Sequence, residues 1–457
     1  MKTFEQENDE LLKYLLDKRF FEVWEEGSDN TLWKATNLEL FITSTCNLKC
    51  EYCYLNRFED KLYPKENRKP KDILNNLKIL FNWFSEKNFY FHNIDLFSGE
   101  IWHTHFGFDV FDVILDGIYN GVQIDSITIP TNYSFLIEDK TMHKMQHYIN
   151  LFDKLGTRLT ISCSIEGKML EEDTRSFKDE NQNDKRNDLF YEKLFAFCKR
   201  NNYLFHPMVA AANVDKWIDN LKWYREQLQD INYYDLGTIM MLEVRNDDWN
   251  EESIKNLLKF FDFEINEHLK MVNNDIETFA NDILGKGGDS SNIGYINYAL
   301  VLSESQAPCS IPTTLTIRVG DLAIPPCHRL AYDKFIYGKF EVDNNKITDI
   351  KANNPQMAIR ILASNNKLAH HKCDSCKYNI FCMGGCFGSQ YESSQDPFMP
   401  AESVCDMFKA KYDYLIDKYE ELGVFKYWEK IPKYDPYYEI AQEMLKGVKS
   451  IKNDRIN

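Results

Sequence analysis

Cys46, Cys50 and Cys53 stand at the spacing CxxxCxxC. Three thiolates in one short loop can ligate three corners of a cubic iron-sulfur cluster and leave the fourth iron without a protein ligand, which makes it a reactive site. A zinc knuckle short of one ligand is the other metal reading, and chance clustering in a Cys-rich chain is the third. Tyr52 places an aromatic ring just before the last of the three thiols.

A second set is larger: Cys373-x2-Cys376-x5-Cys382-x3-Cys386-x18-Cys405, preceded by Cys309-x10-Gly320-x6-Cys327. Paired zinc sites prefer two CxxC-like knuckles, and this set holds one such pair, so zinc suits it less well. Cys163 lies in an apolar strand and Cys198 on a helix ending CKRNN; both read as inert core thiols. The ten histidines, among them His103, His105, His370 and His371, form no HExxH pair, so hydrolytic metal chemistry is not supported.

The chain around these residues has 457 residues, 44% hydrophobic and 14% aromatic, enough for a sizeable core and two or three domains. Its net charge of −17 disfavours general nucleic-acid binding, because a phosphate backbone would be repelled. The first residues, MKTFEQENDE, lack the apolar stretch of a secretion signal, and no apolar run approaches the ~20 residues of a bilayer crossing. A cytoplasmic protein with no membrane association is expected, where twelve cysteines point to metal ligation or thiol chemistry rather than disulfides.

The elements that must position the cysteines follow from periodicity. An amphipathic helix is predicted over 5–25 from Leu11, Leu12, Leu15, Leu16, Phe20, Phe21 and Trp24. LELFIT (Leu38 to Thr43) reads as the first strand, with the CxxxCxxC loop directly after it. A helix follows from about Asp72, with Pro70 before its start and Ile73, Leu77, Leu80 and Phe84 on one stripe. Further strands are predicted at Asn93 to Phe97, Ser126 to Pro130, Arg158 to Ile165, Phe205 to Ala211 and Thr238 to Val244. Helical segments lie between them, including 214–229. Six strands with crossover helices specify an α/β fold with a parallel sheet, open or closed into a partial barrel, and ligands at the carboxyl ends of the strands. Near Cys309 the alternation ends in short irregular segments around Pro308, Pro312, Gly320, Pro325 and Pro326. A last helix carries Phe408, Tyr412, Leu415, Tyr419 and Leu422 on one face. The charged stretch 171–187 reads most simply as a solvated loop, at the mouth expected for a barrel active site where it could touch a substrate.

From about Leu38 to Val244 the sequence resembles the radical S-adenosylmethionine (SAM) superfamily. The resemblance implies that the methionine moiety of SAM chelates the open iron and that cleavage of its sulfonium releases a 5′-deoxyadenosyl radical. It places Tyr52 near the adenine. Ser98-Gly99-Glu100 corresponds to the family's Gly-Gly-Glu stretch at the SAM ammonium, with Ser98 a departure. Thr131-Asn132 is similar to Thr-Asn-Gly, with Tyr133 where Gly is usual. ISCSIEG resembles the Ser-Ile-Asp-Gly ending, so Ser164 would meet the ribose or carboxylate of SAM, and Glu166 replaces the usual Asp. Arg175 would be the charge-assisted partner of the SAM carboxylate.

The second cysteine set resembles the seven-cysteine SPASM domain of radical SAM enzymes that modify peptides and proteins. That likeness implies one auxiliary 4Fe-4S cluster on Cys373, Cys376, Cys382 and Cys405 and another on Cys309, Cys327 and Cys386, hence three clusters in all. Gly384 and Gly385 would let the backbone pass close to the sulfides. With three visible ligands, the second auxiliary cluster is open to a side chain of the enzyme or to a substrate thiolate.

The expected architecture is an N-terminal helical segment (1–36), a partial (β/α)6 radical SAM barrel (37–250), a helical bridge (251–308), a small irregular Cys-rich SPASM domain (309–406) and a C-terminal helical tail (407–457). The expected function is hydrogen abstraction from a residue of a peptide or protein, followed by oxidation to a thioether or C–C crosslink in a ribosomally made peptide. The alternatives are an anaerobic sulfatase-maturing enzyme making formylglycine and an iron-sulfur electron-relay protein without radical chemistry. The partner implied is an electron donor such as flavodoxin or ferredoxin; about 36 residues before the first strand are too few for a complete winged-helix domain, so a separate leader-binding protein, the C-terminal tail or the first helix would bind a leader instead. No acid-base residue stands out among the many Asp and Glu.

Overall fold

Alternating residues such as LELFIT build one eight-stranded sheet in the computed structural model. The structure describes residues 6–7, 9–11, 37–103, 106–203, 205, 207–227, 249–286, 298–303, 311, 314–363, 370–382 and 384–456. The strands are β1 (Asn37–Thr43), β2 (Tyr90–Ser98), β3 (Gln123–Thr131), β4 (Arg158–Cys163), β5 (Thr314–Arg318), β6 (Ala323–Ile324), β7 (Gly338–Asp343) and β8 (Lys346–Ala352). Across the sheet they run β4-β3-β2-β1-β5-β6-β7-β8. The pairs from β4 to β5 are parallel, and the remaining pairs are antiparallel.

The register sorts the residues by face. Leu38 pairs with Ile94 and Leu315, Leu40 with Leu96 and Ile317, and the row continues through Ile127, Ile129, Leu159 and Ile161. These ten aliphatic side chains are buried, each contributing roughly 2 kcal/mol of transfer free energy as an upper bound. The other face carries Glu39 opposite Asp95 and Thr316, and Asp95 opposite Thr128, which in turn faces Thr160. Parallel strands covered on both faces are usually apolar throughout, so one polar face belongs to a sheet that curves around polar contents.

The chain divides into two compact units: Met1–Ile165, Arg175–Phe205 and Ser310–Ala363 form the first, and Glu166–Thr174, His206–Cys309 and Ser364–Asn457 the second. In the first unit the helix expected from Asp72 starts at Pro70, whose missing N–H costs nothing at a helix start, and ends at Glu86; its predicted stripe of Ile73, Leu77, Leu80 and Phe84 is fully buried. A short helix that periodicity did not suggest, Tyr54–Leu62, follows Cys53 directly. The predicted fifth strand contributes an isolated parallel bridge, Cys163 to Phe205. The predicted sixth, 238–244, and most of the predicted helix over 5–25 lie outside the described residues, although 6–7 and 9–11 are helical.

The segment expected to be irregular after Cys309 departs most from expectation. Thr314–Arg318 inserts beside β1 as a parallel strand, all five residues buried. The second unit is helical, with Phe260, Leu415, Tyr419 and Trp428 at its centre. Its helix Glu251–Met271 starts at a reciprocal cap in which Asn250 and Ser253 bond each other's backbone N–H. The helix Glu402–Leu422 buries Tyr412, Leu415 and Tyr419 of the predicted stripe, and Phe408 and Leu422 pack at its margin. No helix among the described residues is long and apolar enough to cross a membrane.

Candidate active site and auxiliary cysteine cavity

In the first unit the C-terminal ends of β1, β2 and β3 bring the CxxxCxxC loop against the segments after the other two strands. Gly99 donates its N–H to Thr43 O (2.8 Å), and Glu100 donates its own to Thr45 O (2.8 Å). A Cβ at position 99 would lie 2.3 Å from Thr45 O and 2.6 Å from Ser44 O, so this approach admits glycine alone. The carboxylate of Glu100 accepts from the Thr131 hydroxyl (2.8 Å), the Asn132 N–H (2.7 Å) and the Trp102 N–H (3.1 Å). Burial raises its pKa in spite of these bonds and of Arg175.

Asn132 is equally engaged. Its side chain donates to Asn47 Oδ1 (2.8 Å) and accepts from the Ser134 N–H (3.0 Å), and Asn47 in turn donates to Ser134 Oγ (2.7 Å). The Glu100 carboxylate, expected at SAM, thus ties the segment after β2 to the end of β3, and the Asn132 side chain, also expected there, ties the end of β3 to the cysteine loop. Tyr133 adopts φ +60°, the left-handed region that explains why glycine is usual there; its ring is buried and its hydroxyl donates to Ile161 O (2.9 Å).

Cys46, Cys50, Tyr52 and Cys53 share one cluster with Leu48, Ile137 and Phe177. Arg175 is buried and donates to the Tyr52 hydroxyl (3.3 Å). Ser98 Oγ is buried with no hydrogen-bond partner among the described residues, while Ser164 is half-buried at the end of β4 and gives its N–H to Thr131 O (3.0 Å). The stretch 171–187 corrects the expectation of a solvated loop in part: Phe177 bridges to Leu48 and is buried, and the exposed part is the turn Glu180–Lys185.

These residues fit the groups that the spacing suggests. Burial, then the nearby Glu100, pushes the Cys46 thiol up to about 12, against the Leu48 N–H that points at its Sγ (3.4 Å) and against Arg175. A thiolate is costly there without a cation, and a bound metal ion reverses that balance.

In the second unit Cys373, Cys376, Cys382, Cys386 and Cys405 line one cavity of about 280 Å³. Tight turns bring them round: Cys376 N–H bonds Cys373 O (3.2 Å), and Cys382 N–H bonds Tyr378 O (2.9 Å). Cys386 caps the helix Phe387–Ser394, and Cys405 lies in the first turn of Glu402–Leu422. Gly384 and Gly385 have φ of +88° and +80°, and the Gly384 N–H points at Cys382 Sγ (3.5 Å). No three His, Cys, Asp or Glu among the described residues could hold a single ion. A cubane spreads its ligands over four separate irons, so four of these five thiols would suit one. Cys327 caps the turn His328–Leu330 in the first unit, and Cys309 lies outside the described residues.

Sequence reasoning missed Asn47 and Arg186. The Arg186 guanidinium lies 5.0 Å from the Phe177 ring and donates to Asn132 O (3.2 Å). Neither residue carries a signal in an isolated sequence. Cys163 and Cys198 are buried as expected, and Cys198 lies 3.6 Å from the Tyr133 hydroxyl.

The fold is shared with solved structures of anSMEcpe. Solved structures similar to this chain include native anSMEcpe with bound AdoMet, at 15% identity and a TM-score of 0.52, covering 84% of this chain and 98% of that one. The same protein with bound AdoMet and Cp18Cys peptide is similar at 16% identity and a TM-score of 0.50, covering 84% and 99%. No protein-family model matches the sequence, and no curated protein does.

Proposed function

We propose that this protein is a radical SAM enzyme that takes a hydrogen atom from a residue of a peptide or protein and oxidises the product radical, most simply to a thioether or C–C crosslink in a ribosomally made peptide. The observation that carries the reading is the gathering of Cys46, Cys50 and Cys53 with Tyr52 and Arg175 in one partly buried site. When bound, an open-iron cluster with SAM supplies a 5′-deoxyadenosyl radical.

The chain's own residues have three tasks. Glu100, Asn132 and Asn47 hold the cysteine loop on the strand ends. Arg175 would offer a guanidinium to the SAM carboxylate, with Tyr52 and the Ser98 hydroxyl, unpartnered among the described residues, beside the same ligand. Leu48, Ile137 and Phe177 keep water from the thiols. In the second unit, four of the cavity thiols would hold an auxiliary 4Fe-4S cluster, and Cys386 would serve the other with Cys309 and Cys327. Crosslinking would remove two hydrogens from the peptide, one as the abstracted atom and one as a proton, and an auxiliary cluster held by these thiols would supply the acceptor for the remaining electron.

A second reading, oxidation of a substrate Cys or Ser to formylglycine, draws support from the fold shared with anSMEcpe, whose structure with a Cp18Cys peptide is among the similar ones. Anaerobic incubation of the iron-loaded chain with SAM and a reductant tests the common core. The expected product is 5′-deoxyadenosine, lost in Cys50→Ala and retained in Cys376→Ala. No product from a fully loaded chain would leave an electron-relay role instead. Mass spectrometry of a co-expressed candidate peptide separates the two readings, since loss of two hydrogens marks a crosslink and an aldehyde-reactive product marks formylglycine.

A further inference from the structure

The cavity that gathers five cysteines is also lined by Ser389 and Gln390, both on the helix that Cys386 caps. Both side chains are almost wholly buried, at 3% and 2% exposure. Gln390 donates its amide to Gly384 O (2.5 Å), which ties the helix to the glycine pair, and its Oε1 has no hydrogen-bond partner among the described residues. Ser389 Oγ also has none. A buried hydroxyl without a partner is destabilising, so Ser389, which lines the cavity beside five thiols, is suited to an acceptor held inside it.

We infer that Ser389 donates its hydroxyl to a sulfur of the iron-sulfur cluster held in this cavity and so sets that cluster's reduction potential. The inference rests on the proposed reading, in which four of the thiols around the cavity ligate a 4Fe-4S cluster. Each electron added to such a cluster increases the negative charge on its sulfurs. A hydroxyl pointed at one of them therefore stabilises the reduced form and raises the potential. Among the other lining residues, Lys409 is held by Asp406 at 3.0 Å, Tyr378 donates to Asp413 and Gln390 to Gly384 O, whereas the Ser389 hydroxyl has no such partner among the described residues. On this account Ser389 tunes the cluster's potential through that hydrogen bond.

The test uses the full chain carrying Cys46→Ala, Cys50→Ala and Cys53→Ala, reconstituted without oxygen, so that every iron signal comes from the auxiliary set. Iron and sulfide are counted, and the midpoint potentials are read by a redox titration followed by electron paramagnetic resonance. In this background Ser389→Ala is expected to shift one midpoint to a more negative value at unchanged iron content, and Ser389→Thr, which keeps the hydroxyl, to restore it. Unmoved midpoints at full iron loading would overturn the inference and leave the reading of the cavity standing. If the background chain binds no iron at all, that reading falls first. Should Ser389→Ala load poorly, Ser389→Thr decides: parental loading and potential support the hydroxyl's role, and the same loss as in Ala contradicts it.

Discussion

Glu39 and His328, 289 positions apart in sequence, meet at 2.6 Å between Oε2 and Nδ1. The other carboxylate oxygen accepts from the His328 N–H (2.9 Å) and the Thr316 hydroxyl (3.0 Å), and the His328 ring stacks on Phe97 with centroids 3.6 Å apart. This pair locks the turn after Cys327 onto the polar face of the sheet. Burial opposes ionisation of Glu39, but the charge and hydrogen bonds of His328 prevail and hold its carboxyl below the ordinary 4.5.

A depressed carboxyl contributes stability that is present above its unfolded pKa and lost as pH falls through the folded one. Glu39→Gln in the metal-free chain should therefore lose about 2 kcal/mol of unfolding free energy at pH 7, the scale of a disrupted buried charged hydrogen bond. The difference should shrink below pH ~4.5, near the ordinary value. Urea titrations at the two pH values check this, and equal stability at pH 7 would count against the pair.

Asp95 sits beside Glu39 in register and behaves oppositely: burial raises its carboxyl from 3.8 to about 6, against an Asn93 hydrogen bond. A raised carboxyl stabilises the fold at low pH, and that contribution disappears as pH rises from its unfolded value through about 6. At pH 7.5 its charge is then a net cost, at most ~3 kcal/mol at 1.36 kcal/mol per unit and less because the group is partly exposed. Asp95→Asn should unfold at higher urea than the parent at pH 7.5 and lose that advantage at pH 4; the reverse order would contradict the sign.

Gly99→Ala drives a methyl group into the backbone of Ser44 and Thr45. The expected outcome is loss of iron from the Cys46, Cys50 and Cys53 site with the auxiliary set retained, about one third of the total in a three-cluster chain. An iron assay on anaerobically reconstituted protein reads this directly, and full loading would show that the loop tolerates the displacement.

Asn47→Ala removes the side chain that links the cysteine loop to Asn132 and Ser134. A stability loss of about 1–2 kcal/mol follows from two broken part-buried bonds. SAM affinity should fall more than auxiliary iron content does. Isothermal titration of reconstituted protein with SAM measures the first, and undiminished affinity would make Asn47 a bystander.

Spacing alone revealed both cysteine sets, because ligands to one cluster come mostly from short loops whose order survives in any fold. The strands near 38–43, 93–97, 126–130 and 158–165 were legible for a related reason: buried parallel strands write short apolar or alternating runs between helical segments. Thr314–Arg318 was not, since five residues among prolines and glycine look irregular until Asn37–Phe41 supplies the pairing edge. Asn47, Arg186 and the Glu39–His328 pair were equally hidden, being ordinary polar residues whose partners are brought close only by folding. Local chemistry thus determined which atoms could hold iron; the long-range register of the sheet decided which side chains brace them, because hydrogen bonds between distant segments leave no periodic trace in the chain.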